Sequence, residues 1–181
     1  MVRKHKHMNR EIIFFAIAIA VLIFSVYSFL KTQNINLKIG EEISLPDIST
    51  VGYSKFTVEA SVTQNTGIVT LTSGCYQIVA NTEPHQALSI ADGMAGKIGF
   101  RPNTHDLIAA SFKNLGIKVL MVKIVDLRNN TFIADLILQQ GDNILTLDAR
   151  PSDAIALAVR MNVTNFYIKD EILKTQGRNI C

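Results

Sequence analysis

Nineteen consecutive residues without a formal charge, Ile12 to Leu30 (IIFFAIAIAVLIFSVYSFL), constrain this chain more than any other feature. As a helix rising about 1.5 Å per residue the run is about 29 Å long, enough to cross a bilayer core of about 30 Å. It has no polar stripe, so it does not read as the surface helix of a soluble domain. Arg3, Lys4, Lys6 and Arg10 precede it and Lys31 follows it. The excess of bases on the N-terminal side places that end in the cytoplasm. A secretory leader has a shorter apolar core and a small-residue cleavage site. This run ends instead in Ser25-Val26-Tyr27-Ser28-Phe29-Leu30. The sequence therefore predicts an uncleaved signal anchor over 12–30 behind a basic cytoplasmic tail, 1–11. A linker follows over 31–54, with Gly40, Pro46 and Gly52. A folded domain over 55–181 would then lie outside the cytoplasmic membrane.

That division changes what the charge means. The 181 residues carry a formal +3, yet from Lys31 onward 14 Lys/Arg balance 14 Asp/Glu. The basic character is a tail and not a face for nucleic acid. Two cysteines, Cys75 and Cys181, exclude a disulfide scaffold and a zinc ribbon. Outside the cytoplasm they could pair with each other, or Cys181 could stay free or link two chains. GxxxxGK[ST], GxGxxG and GxSxG are absent from the sequence, which removes P-loop, Rossmann and serine-hydrolase readings.

The domain reads as an α+β fold with a mixed sheet. Phe56–Val62 alternates apolar and polar, Asn65-Thr66-Gly67 marks a turn, and Ile68–Thr72 is β-branched, which together predict a hairpin. Cys75–Ala80 reads as a third strand. Pro84 can open a helix, although Gly93 and Gly96 weaken it. Asn103 or Thr104 can cap a helix over His105–Leu115, with Leu107, Ile108, Phe112 and Leu115 on its packing side and Gly116 as its stop. Strands follow over Ile117–Leu127, Thr131–Leu138 and Ile144–Leu147. A helix is expected over Pro151–Met161, packed through Ala154, Ile155, Ala158 and Val159. A short strand at Phe166–Ile168 and a short helix at Asp170–Lys174 complete the order.

Two segments crowd polar residues at helix starts: Arg101-Pro-Asn-Thr-His-Asp-Leu-Ile108 and Asp148-Ala-Arg-Pro-Ser-Asp-Ala-Ile-Ala-Leu-Ala-Val-Arg160. Each has Arg-Pro, a small polar residue, and an Asp in the first turn. Capping accounts for both, since Asp near a helix N-terminus offsets the macrodipole for about 0.3–1 kcal/mol. Phosphodiester hydrolysis also accounts for them. It needs carboxylates for Mg²⁺ or Mn²⁺, a cation for the phosphate and a base for water. Asp148 and Asp153 could hold the metal, Arg150 could engage phosphate through its planar fork, and His105 could be base or ligand. Neighbouring side chains on a helix diverge by about 100°, so His105 and Asp106 should not meet at one atom.

Residues from about 56 to 175 resemble the bifunctional nuclease domain family. The resemblance rests on RPNTHDLI at Arg101–Ile108, LRNNTFIADLIL at Leu127–Leu138 and, above all, DARPSDAIALAVR at Asp148–Arg160. It implies an α+β domain, described in some members as cleaving RNA and DNA, with site residues His105, Asp106, Asp148, Arg150, Ser152 and Asp153. The expectation is a membrane-anchored nuclease, metal-assisted, with nucleic acid as substrate and room for homo-oligomerisation. The competing expectation is a noncatalytic binding or assembly module tethered to the membrane.

Overall fold

The computed structural model describes residues 10–35 and 48–181. The chain divides into two units, residues 1–45 and 46–181.

In the first unit, helix α1 runs Arg10–Ile35. Its described side chains fall between Phe14 and Ser28, and Phe14, Phe15, Leu22 and Phe24 are exposed. Among the described residues, no helix is long and apolar enough to cross a membrane. They therefore do not support the span expected over Ile12–Leu30. The expected linker is helical at its start, because α1 continues to Ile35. The tail over 1–9 and the linker over 36–47 lie outside the described residues.

The second unit holds two sheets. The larger has the order β1-β8-β5-β6-β7 and the smaller β2-β3-β4-β9. Their strands are β1 (Tyr53–Lys55), β2 (Thr57–Val62), β3 (Gly67–Ser73), β4 (Tyr76–Thr82), β5 (Lys118–Arg128), β6 (Thr131–Gln140), β7 (Asn143–Ala149), β8 (Phe166–Lys169) and β9 (Arg178–Asn179). The helices are α2 (Pro84–Met94), α3 (Thr104–Leu115), α4 (Pro151–Arg160) and α5 (Asp170–Gln176). All pairings are antiparallel except β5 with β8. The α+β expectation is met. The strands β1 and β9 were not expected, being three and two residues long and made by partners distant in sequence. β1 begins two residues before 55, where Tyr53 and Ser54 pair with Lys169 and Ile168.

One hydrophobic cluster joins both sheets to α2 and α4, including Phe56, Leu71, Ile90, Val122, Ile124, Leu136, Ile155 and Ile168. Phe56 and Phe166 stack at 5.7 Å inside it. Gly93, which weakened the case for α2, proves necessary to it. A Cβ there would lie 2.6 Å from Val159 Cγ2 and 2.7 Å from Arg160 Nη1. Its bareness lets α2 approach α4. α4 buries Ala154, Ile155, Ala156, Leu157 and Ala158, a run of five in which small residues admit close neighbours on more than one side. α3 keeps Ile108 and Phe112 of its expected packing side against the core, but not the other two. Leu107 and Leu115 are exposed, while Asp106 and Ala109 are buried.

The β5–β6 turn uses Asn129 and Asn130 at φ of 49° and 62°, the left-handed pair that a two-residue hairpin needs. Cys75 lies in the β3–β4 turn rather than in a strand, and it forms a disulfide with Cys181 at a Cα–Cα distance of 5.2 Å. This bond and the hydrogen bond from Ile180 N to Cys75 O hold the C-terminus beside β4.

Candidate functional site

The N-termini of α3 and α4 open onto a cleft of about 660 Å³. Its apolar lining includes Leu136, Leu147, Ala149, Ile108 and Leu157, and its polar lining includes His85, Ser89, Asp92, Asn103, His105, Arg150 and Asp153. The two helices begin differently. Asn103 caps α3 in a reciprocal capping box: its side chain accepts from Asp106 N at 3.0 Å, and Asp106 Oδ2 accepts from Asn103 N at 2.9 Å. Arg150 holds the cap position of α4 with no side-chain cap, and Pro151 follows it. Ser152, the small polar residue of the Asp148–Arg160 motif, lies inside the helix and not at its cap position.

A directed hydrogen-bond chain crosses the cleft. Asn103 Oδ1 is committed to Asp106 N, which turns its amide NH₂ toward Ser89 Oγ at 3.5 Å. The Ser89 hydroxyl is then free to donate to His105 Nδ1 at 3.0 Å. A neutral imidazole that accepts at Nδ1 carries its hydrogen on Nε2. That nitrogen lies 3.4 Å from Asp153 Oδ1, and Asp153 Oδ2 accepts from Arg150 Nε at 2.6 Å. Burial lowers the pKa of His105, with Arg160 adding to the effect and Asp153 opposing it. The ring is thus held toward its neutral form. The hydrogen bond to Asp153 raises the pKa of Arg150.

Asp106 plays a different part. Its Oδ1 accepts from Arg160 Nε at 2.5 Å, and each side chain is 6% exposed. Burial alone would raise the Asp106 pKa, but the hydrogen bonds from Arg160 and Asn103 outweigh it and hold the carboxyl below its usual range. Arg160 Nη1 also donates to Ser89 O and Ala156 O, both at 2.8 Å. This buried pair ties α2, α3 and α4 together behind the cleft. As expected, His105 and Asp106 point to different partners.

Of the six residues expected at the site, His105, Arg150 and Asp153 converge. Asp106 is spent on Arg160. Ser152 lines a neighbouring depression of about 500 Å³ together with Glu83, Asn130 and Ile155, and Arg150 borders both hollows. Asp148 corrects the expected carboxylate pair. The strand β7 continues to Ala149 instead of ending at Leu147, so Asp148 alternates away from Leu147 and Ala149, which line the cleft. It is exposed and sits opposite Asp135, which in turn sits opposite Lys123. Sequence reasoning missed Ser89, Asn103 as a cleft residue, and Arg160. A signal existed for Arg160: a guanidinium closing an otherwise apolar helix face requires a buried partner. Ser89, between buried Ala87 and Ile90, gave none.

The donor set does not fit a resident divalent metal. Asp153 and His105 meet, but Arg150 already engages one Asp153 oxygen, Asp148 faces elsewhere, and His85 and Asp92, which also line the cleft, do not group with them. Among the described residues no three His, Cys, Asp or Glu side chains are grouped to hold a metal ion. No chemical step is therefore routed through one.

Comparison with known proteins places this architecture. A family model described as the bifunctional nuclease domain matches residues 77–180, more than half the chain. The chain belongs to the bifunctional nuclease domain family. It is also 40% identical over 92 residues to uncharacterized proteins from two strains of Mycobacterium tuberculosis, a match covering 51% of this chain and 54% of each relative. The chain thus spans about half the length of the curated relatives it matches.

Proposed function

We propose that this protein is a membrane-anchored nuclease that hydrolyses phosphodiester bonds of RNA or DNA in the α3–α4 cleft. The observation that carries the reading is the convergence of Arg150, Asp153 and His105 in one cleft. Arg150 is mostly exposed, so its other N–H donors can engage a phosphate while Nε holds Asp153. Asp153 Oδ1 accepts the proton of an attacking water. The water oxygen forms the new bond to phosphorus as the scissile P–O bond breaks, and the leaving oxygen takes a proton from solvent. His105, held toward its neutral form by burial and fixed by Ser89, orients Asp153. A divalent ion carried in with the substrate is compatible with this arrangement, because Mg²⁺ is commonly held by one carboxylate, substrate phosphates and water. Affinity should be modest, since the domain has no net charge to release counterions from nucleic acid.

The anchor reading rests on the sequence: the uncharged run over 12–30 and the bases before it place the N-terminus in the cytoplasm and the domain outside. The Cys75–Cys181 bond supports it, because disulfides persist in oxidising compartments.

A second reading is a tethered, noncatalytic binding module. The observation favouring it is that both Asp153 oxygens already have partners within the protein. One experiment separates the two. The full chain, purified in detergent, is incubated with single-stranded RNA and DNA in Mg²⁺, Mn²⁺ or chelator, beside Asp153→Asn. Cleavage that the substitution abolishes supports the nuclease. Cleavage that persists unchanged removes this site, and absence of cleavage under every condition favours the module.

A further inference from the structure

We propose that the loop between α2 and α3 is a membrane-docking element that inserts apolar tips into an anionic lipid surface and seats a lipid phosphate in the basic pocket behind it. The inference is independent of the nuclease reading.

The loop reads Met94-Ala-Gly-Lys-Ile-Gly-Phe-Arg101. Phe100 is 102% exposed, Ile98 69% and Met94 51%. Three large apolar side chains within seven residues, all turned to solvent, are costly unless something covers them. Lys97 and Arg101 flank the tips. Apolar tips bracketed by bases suit the boundary between lipid headgroups and acyl chains.

Behind the loop lies a pocket of about 320 Å³. Lys97, Lys113, Arg160 and Asp106 supply its charged lining and Ile98 part of its apolar one. The Arg160–Asp106 pair is internally neutral, so Lys97 and Lys113 leave the lining net positive. Arg160 is 6% exposed, and its Nη2 has no hydrogen-bond partner, although Nε and Nη1 are both engaged. A buried guanidinium donor without an acceptor is a cost that an anion in this pocket would relieve. Apolar tips and an anion pocket side by side match one ligand, a phospholipid with a negative headgroup.

The chain has no tryptophan, so Phe100→Trp creates a single fluorescent reporter at the tip. The full-length variant is reconstituted into vesicles of phosphatidylcholine alone, and of phosphatidylcholine mixed with phosphatidylglycerol. The expected result is emission shifted to shorter wavelength and quenched by bromine-labelled acyl chains in the mixed vesicles only. This response should be lost when Lys97, Arg101 and Lys113 are changed to Glu. With excitation selective for tryptophan, quenching by acyl chains reads the loop itself and not α1, which contains no tryptophan. Emission that stays solvent-like in both vesicles overturns the proposal. So does an equal shift in both, which would show that charge takes no part. A shift produced by inorganic phosphate in detergent overturns it in favour of a soluble-anion site. A shift that grows with protein concentration without lipid overturns it in favour of self-association.

Discussion

The helix mouths at Arg101–Ile108 and Asp148–Arg160 share a local pattern and diverge in role. Each offers Arg-Pro, a small polar residue and an Asp in the first turn. At α3 the carboxylate turns inward, closes a capping box and meets Arg160 with both side chains 6% exposed. At α4 the carboxylate turns to the cleft, is 32% exposed, and is shared by Arg150 and His105. The difference comes from what lies across from each Asp. Asp106 faces the far end of α4, where the Arg160 side chain is nearly buried. Asp153 faces the side of α3 that carries His105. One Asp is a structural tie and the other is open to chemistry, a distinction decided by tertiary neighbours and not by spacing.

The sharpest way to break that comparison is to remove the inward carboxylate. Asp106→Ala leaves the buried Arg160 guanidinium unpaired and deletes half of the capping box. The expected loss is about 3–5 kcal/mol, read by urea denaturation of the full chain in detergent. Replacing the pair together, Asp106→Leu with Arg160→Met, should recover most of it, since two apolar groups leave no orphaned charge. If the single and double variants are equally unstable, the pair is not the tie described.

The outward carboxylate should behave in the opposite way. Asp153→Asn is expected to change stability by no more than about 1 kcal/mol, because its ion pair with Arg150 is exposed. Its cost should fall on turnover, about 100-fold or more in kcat where the wild type cleaves. A variant that loses stability and keeps activity would exchange the roles of the two Asp residues.

Asn103 lies between the two. It caps α3 and also turns Ser89 toward His105. Asn103→Ala should cost about 1 kcal/mol as a lost cap. Asn103→Ser should restore most of that stability while leaving Ser89 without its amide partner. A lower kcat in the serine variant, at near-normal stability, would show that the chain from Asn103 to His105 matters beyond capping.

The sequence made much of this fold legible and only part of the site. The alternation of Phe56–Val62 and the turn at Asn65-Thr66-Gly67 led directly to β2 and β3. Pro84, Pro151 and Gly116 marked helix ends because each restricts or frees the backbone locally. Local signals could not report β1, three residues long, whose existence depends on β8 more than a hundred positions later. Asp148 was misplaced by a strand boundary two residues short, and along a strand that decides which face a side chain meets. Leu107 and Leu115 were misplaced because α3 spends its buried face on Asp106 and Ala109. Arg160 was visible in the motif, but its partner Asp106 is 54 positions away. Cys75 and Cys181 pair only because β9 returns the terminus to β4.

The smallest expected effect separates His105 from Asp106 by pH. Burial lowers the folded pKa of His105, so near neutrality the unfolded chain binds this proton more readily than the folded one. The resulting stability is fully present above the unfolded histidine value of about 6.5. It is lost as pH falls through the folded value, and below that no further change comes from this group. Asp106 also has a lowered folded pKa, so its contribution is present above the unfolded carboxylate value of about 3.9 and lost as pH falls through its own folded value. Denaturation midpoints measured from about pH 8 downward should therefore fall in two separate windows. His105→Gln should flatten the near-neutral window and leave the acid one, because glutamine cannot take up the proton but fills similar space. Asp106→Asn should do the reverse. If His105→Gln leaves the near-neutral slope intact, the imidazole is not held neutral by its burial at the α3 mouth, and Asp153 would face an imidazolium instead of an uncharged orienting group.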